Sequence, residues 1–133
     1  MKVVDSIQFN RGSWATHTNT EWEGFYLFEA VLDWSYYKGC KGELWVESMD
    51  FENPPEGGWL RLAYQYKPAE FIPVIGSEIK TRNTVGNRWT LQKSEAFDLP
   101  QTGDVACLWI QGKAEKGKNI SIALATLVIL EDD

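Results

Sequence analysis

Apolar residues recur at every second position in short runs broken by glycine, proline and asparagine, and this period restricts the chain to strands with one covered face each. Glu43-Leu44-Trp45-Val46-Glu47 is the cleanest run. It turns Leu44 and Val46 toward a core and leaves Trp45 outward between two glutamates. Residues 59–66 alternate in the same way, with Leu60, Leu62, Tyr64 and Tyr66 on one side and Trp59, Arg61, Ala63 and Gln65 on the other. Residues 3–9 form a looser first strand. Residues 23–37 are the longest aromatic and β-branched stretch, where Tyr26, Phe28, Ala30, Leu32 and Trp34 share a face and predict a strand or a bent pair of strands. Further strands are predicted over 77–82, 88–93, 97–99, 105–111 and 120–130. Residues 50–58 contain Pro54 and Pro55, which lack a backbone donor, and Gly57 and Gly58, which invite turns, so a surface loop is expected there. In the last strand Ile120, Ile122 and Leu124 share one face, whereas Ala123, Ala125, Leu127 and Ile129 share the other. Either both faces are buried or a bulge near 124–125 exchanges them.

Eight or nine short strands with no helix point to an all-β fold, an antiparallel two-sheet β-sandwich of the jelly-roll kind, because each apolar strand face needs a second sheet to cover it. A closed barrel is the alternative. The 133 residues suit one domain spanning 1–133, and 44% hydrophobic with 24% charged residues is a globular balance. No apolar stretch reaches the ~20 residues of a bilayer span. The N-terminus meets Asp5 before any sustained apolar run, so no signal peptide is expected. A formal net charge of -6 disfavours binding to a phosphate backbone, and neither nucleic acid nor a membrane is an expected partner. Cys40 in a Gly-Cys-Lys-Gly turn and Cys107 in an apolar strand are poorly placed to align as a disulfide.

Catalysis of the Ser-His-Asp type needs a base, and His17, in a threonine-rich segment read as loop, is the chain's one histidine. One histidine and two scattered cysteines do not make a zinc site. Glu43 with Glu47, or Glu29 with Asp33, could reach the ~5–10 Å separation of glycosidase carboxylates. Glutamates on the wet face of a strand are more simply read as solubilising charge. Asp50, Glu52, Asn53 and Glu56 could offer oxygens to calcium, but their spacing matches no EF-hand and reads as an acidic loop. No catalytic residue, cofactor or metal is therefore expected. Aromatic residues make up 14% of the chain. Trp45 beside Glu43 and Glu47, together with Trp59 and Trp109 on faces with polar companions, is the expected contact surface for a partner or a glycan. Flat indoles beside carboxylates and amides stack on sugar faces, and they equally anchor protein interfaces.

The segments Gly76-Ser77-Glu78-Ile79-Lys80-Thr81, Phe97-Asp98-Leu99-Pro100, 108–113 and Ala125-Thr126-Leu127-Val128-Ile129 resemble the last strands of jelly-roll modules. Such modules occur in viral structural and appendage proteins and in carbohydrate-binding proteins. The resemblance covers roughly the second half of the chain and rests on pattern, so it transfers no binding residues. A fold-level likeness leaves function open, and the leading expectation is a non-enzymatic structural or decoration subunit of a symmetric assembly such as a viral capsid or tail. The chain would then be a homo-oligomer or lie among other subunits, in a virion assembled in a host cytoplasm. The alternative is a carbohydrate-binding module that holds a glycan with surface tryptophans, in the cytoplasm or exported without a signal peptide.

Overall fold

In the computed structural model, which describes residues 1–9, 14–49, 58–67, 70–81, 89–101 and 105–132, the alternating runs become eleven strands. They are β1 (Lys2–Gln8), β2 (Ala15–His17), β3 (Glu23–Asp33), β4 (Lys41–Met49), β5 (Gly58–Gln65) and β6 (Ile72–Pro73). The chain continues through β7 (Ile79–Lys80), β8 (Thr90–Lys93), β9 (Phe97–Asp98), β10 (Val105–Ala114) and β11 (Ile120–Glu131). One sheet has the order β1-β11-β4-β8, with β2 also on β11 and β9 also on β4. The other has the order β3-β10-β5-β6, with β7 also on β5. Every pairing is antiparallel. The two inner faces pack as a sandwich, in which Leu44, Val46, Ile122 and Leu127 from the first sheet join Phe28, Leu60, Leu62, Leu108 and Ile110 from the second. Each of these is 0% exposed, and burying one such side chain is worth ~1.5–3 kcal/mol.

Of three register shifts, one of them in β1 between Val3 and Asp5, two adjust the faces of longer strands. Along β11 the register passes from Ile122 opposite Ser48 to Leu124 opposite Glu47, so Ala123 is extra and the side-chain phase changes at the expected place. Beyond it Leu127, Val128, Ile129 and Leu130 are all buried, so this half of the strand is covered on both sides. Along β3 the register passes from Glu29 opposite Trp109 to Gly24 opposite Gln111, which places extra residues on β3. Phe25 and Phe28 consequently both enter the core, which strict alternation forbids at that spacing. The side chain of Tyr26 lies outside the described residues.

The predicted strand over 23–37 ends early. Asp33 Oδ1 accepts from the Ser35 N–H at 2.9 Å and from Ser35 Oγ at 2.6 Å, and a 3-10 turn over Trp34–Tyr37 follows. This cap offers the backbone a partner that competes with continued pairing. Trp34 is thereby turned into the core, edge-on to Tyr64 at 5.5 Å. His17, read as a loop residue, instead closes β2 and pairs with Ile120, because the run Ile120–Ile122 extends beyond the reach of β1 and recruits a second short strand. Cys40 and Cys107 are both free. The turn expected at 85–87 and the loop at 50–57, with its calcium candidates Asp50, Glu52, Asn53 and Glu56, lie outside the described residues.

Both sheets have a broken edge, and the break is closed in the same way. Between β6 and β7, Ser77 Oγ accepts from the Leu62 N–H at 3.0 Å and donates to the Val74 carbonyl at 2.6 Å. Between β8 and β9, Ser94 Oγ accepts from the Leu44 N–H at 2.9 Å and donates to the Glu95 carbonyl at 2.8 Å. Each hydroxyl therefore stands in for a missing strand. Ser77→Ala and Ser94→Ala should each lower stability by ~1–3 kcal/mol in denaturant titrations, because each strands a buried backbone donor.

At the β1 edge of the first sheet, the Tyr37 hydroxyl donates to Asp5 Oδ2, tying the 3-10 turn to β1. That bond, then desolvation, pushes Tyr37 up from 10.0 to about 12. The same bond, helped by the Ser6 N–H, holds the Asp5 carboxyl below its ordinary 3.8. Asp5 thus supports the fold above pH 3.8 and loses this contribution as pH falls through its lowered value. Tyr37 supports it below pH 10 and loses this as pH rises toward 12. Tyr37→Phe should therefore melt lower than the parent mainly between these limits. Melting temperatures taken across acid and alkaline pH should show the difference shrinking at both ends.

Candidate functional site

The alternation that buries Leu108 and Ile110 of β10 turns Cys107, Trp109, Gln111 and Lys113 to the outer face, and the same rule on β5 presents Trp59, Arg61, Ala63 and Gln65. Register sets these residues side by side. Cys107 lies opposite Gln65, Trp109 opposite Ala63, Gln111 opposite Arg61 and Lys113 opposite Trp59. Small Ala63 leaves room beside Trp109, whose indole reaches over Gly24 of β3, where a Cβ would stand 3.5 Å from the ring. The Trp109 Nε1–H donates to Gln65 Oε1 at 2.6 Å, and Phe71 packs edge-on at 6.0 Å. Exposed Glu29 is the cross-strand neighbour on the β3 side. An aromatic surface is thus held half-buried and oriented amid amide and carboxylate groups.

The next rows are cationic. Arg61 Nε donates to Oε1 of buried Gln111 at 2.8 Å, and its guanidinium carbon lies 4.1 Å from the centroid of the Trp22 ring. Lys113 Nζ lies 5.1 Å from the same ring, and Lys80 Nζ 4.9 Å from Trp59. Burial lowers the Arg61 pKa from its ordinary value, and the charge of Glu78 opposes that shift. This outer face therefore combines four aromatic rings with forked and point-like donors.

The outer face of the opposite sheet has a different character. Trp45 projects outward between Glu43 and Glu47 as expected and is half-buried. Its Nε1–H donates to Glu43 Oε1 at 2.9 Å, and Lys93 Nζ lies 4.0 Å over its ring. Both its polar edge and one ring face are occupied by its own neighbours. Trp45, Glu43 and Glu47 therefore form one surface and Trp59 and Trp109 another, on opposite sides of the sandwich. Glu43 is engaged by Trp45, and Asp33 is engaged by Ser35, which holds its carboxyl below the ordinary range. Among the described residues no group of three or more His, Cys, Asp or Glu side chains gathers as for a metal.

Sequence reasoning named Trp59 and Trp109 but missed Trp22, Phe71, Arg61, Gln65 and Gln111. Arg61 and Gln65 were legible as companions of Trp59 on the outer side of β5. Trp22 and Phe71 precede their strands, where no periodicity assigns a face.

No protein-family model matches the chain, and no curated protein matches it. Among solved structures, the chain is similar to the Clostridium thermocellum N-terminal endo-1,4-beta-D-xylanase 10B, in a crystal structure of its CBM22-1-GH10 modules complexed with xylohexaose. The TM-score is 0.52 at 14% sequence identity, covering 100% of this chain and 30% of that one. At that identity the likeness is one of fold. It is a distant structural match to a carbohydrate-binding module, and the chain shares its jelly-roll β-sandwich architecture.

Proposed function

We propose that this protein is a non-catalytic carbohydrate-binding β-sandwich whose ligand lies on the outer face of the β3-β10-β5 sheet. The observation that carries this reading is Trp109, an indole oriented by Gln65, braced by Phe71 and set beside the Arg61–Gln111 pair. A pyranose has apolar ring faces that stack on an indole and hydroxyls that take hydrogen bonds from amides and guanidinium groups. Strands carry all of these side chains except Phe71, so the surface is held before the ligand arrives. The match to a carbohydrate-binding module adds a fold in which such a face is usable. The candidate acid pairs are engaged elsewhere, Glu43 by Trp45 and Asp33 by Ser35, which favours binding without turnover. On a glycan array followed by titration of the strongest hit, Trp109→Ala should weaken binding about thirtyfold, as for loss of a ~2 kcal/mol anchor. Trp45→Ala should leave it unchanged. Full binding by Trp109→Ala, or no glycan bound by the parent, would remove this reading.

A second reading, a subunit of a symmetric assembly with a virion as its setting, draws on the other face. Leu91 and Leu124 flank Glu47 there at 52% and 42% exposure, and at the same end Trp14, 52% exposed, packs against Trp89. Exposed apolar groups gathered in this way mark interaction surfaces. Light scattering should then show an oligomer that Leu91→Asp with Leu124→Asp dissociates while glycan binding persists. A parent that stays monomeric at high concentration would sink it.

A further inference from the structure

The chain carries a net charge of -6, yet the described part of one end of the outer face is cationic. Arg61 and Lys113 converge on a single ring, Trp22, at 4.1 Å and 5.1 Å from its centroid. Lys113 also lies directly across from Trp59, whose ring holds Lys80 at 4.9 Å. An indole face attracts each cation, but two cations brought to one ring repel each other. Among the described residues, ion pairs join Lys2 to Glu131, Lys41 to Asp98 and Lys118 to Glu115, and none includes Arg61 or Lys113. The guanidinium is also aimed. Its Nε is committed to buried Gln111, which fixes the plane and leaves the forked end to meet something else. Burial acts against the Arg61 charge, and the charge of Glu78 offsets part of that cost.

Resting on the glycan-binding reading, we infer that the Arg61–Lys113 pair recognises a carboxylate on the bound sugar, so that the ligand is an acidic, uronate-containing glycan. The geometry follows from the strands. Gln111 and Arg61 are each two residues from the Trp109–Ala63 row, and rows on one strand face are ~7 Å apart. A sugar ring stacked on Trp109 therefore projects its substituents onto the Arg61 row. A carboxylate has two coplanar oxygens that match the guanidinium fork, and it relieves the repulsion between the two cations. A neutral sugar does neither.

The test compares three probes on the full chain by calorimetry. They are an oligogalacturonate, which carries carboxylates, xylohexaose, which is neutral, and dextran sulfate, which offers charge without a carboxylate. The oligogalacturonate should bind most tightly and weaken with added salt. Arg61→Gln and Lys113→Gln should each reduce that affinity about tenfold or more, as for loss of a charge-assisted hydrogen bond. Both variants should lose more affinity for the oligogalacturonate than for xylohexaose, with melting curves confirming that they fold. Preference for xylohexaose, or oligogalacturonate binding indifferent to both substitutions, would overturn the inference while leaving the glycan-binding face intact. Equal binding of dextran sulfate would overturn carboxylate recognition in favour of bare charge attraction. Absence of binding to both sugars and to every glycan on the array would bring down the underlying reading as well.

Discussion

Two consecutive strands, β10 and β11, belong to different sheets, and each is central in its own. β10 pairs with β3 on one side and β5 on the other, while β11 pairs with β1 and β2 on one side and β4 on the other. The connection is short. Gly117 takes a φ of +80°, and the Lys118 N–H bonds to the Glu115 carbonyl at 2.9 Å. Every other strand reaches the sandwich through one of these two or through a strand that they hold. Their inward residues, Leu108 and Ile110 from one and Ile122, Leu127 and Ile129 from the other, supply both halves of the core. The outward residues of β10 are therefore presented from the best-supported backbone in its sheet.

That support makes the aromatic face a suitable place to bind something. An indole on a loop must lose backbone and rotamer freedom when it meets a ligand, and that loss opposes affinity. Trp109 has already met much of this cost through Gly24, Gln65 and Phe71. The broken outer edges serve a related end. Ser77 and Ser94 satisfy the Leu62 and Leu44 backbone donors that a full edge strand would otherwise need to reach.

The charge distribution separates the two faces more sharply than the apolar pattern does. A net charge of -6 describes the chain as a whole and says little about any one surface. On the β10 face, cations lie over Trp22 and Trp59 while the central Trp109 is held by an amide and another ring. On the β11 face, Lys93 lies over Trp45 and Glu43 takes its N–H, so charge closes the ring in. The central indole is thus braced by neutral groups on one side and by charged ones on the other.

Alternation by itself determined which way each side chain points relative to its own strand. Leu44 and Val46 oppose Trp45, and Leu60 and Leu62 oppose Trp59 and Arg61, because successive strand residues must leave on opposite faces. It also located the phase change in β11, since a strand apolar on both sides in succession leaves that mark in its own residues. Only the tertiary structure decided which sheet each strand joins. Trp45 and Trp59 consequently stand back to back rather than together, while Trp22, Arg61 and Lys113, distant in sequence, converge. Strand partnership depends on pairings between remote segments and on the covering of one inner face by another, and no single run encodes those. The early end of β3 has the same origin in miniature, where the Asp33 carboxylate and the burial of Trp34 outweigh a local pattern that would have continued the strand.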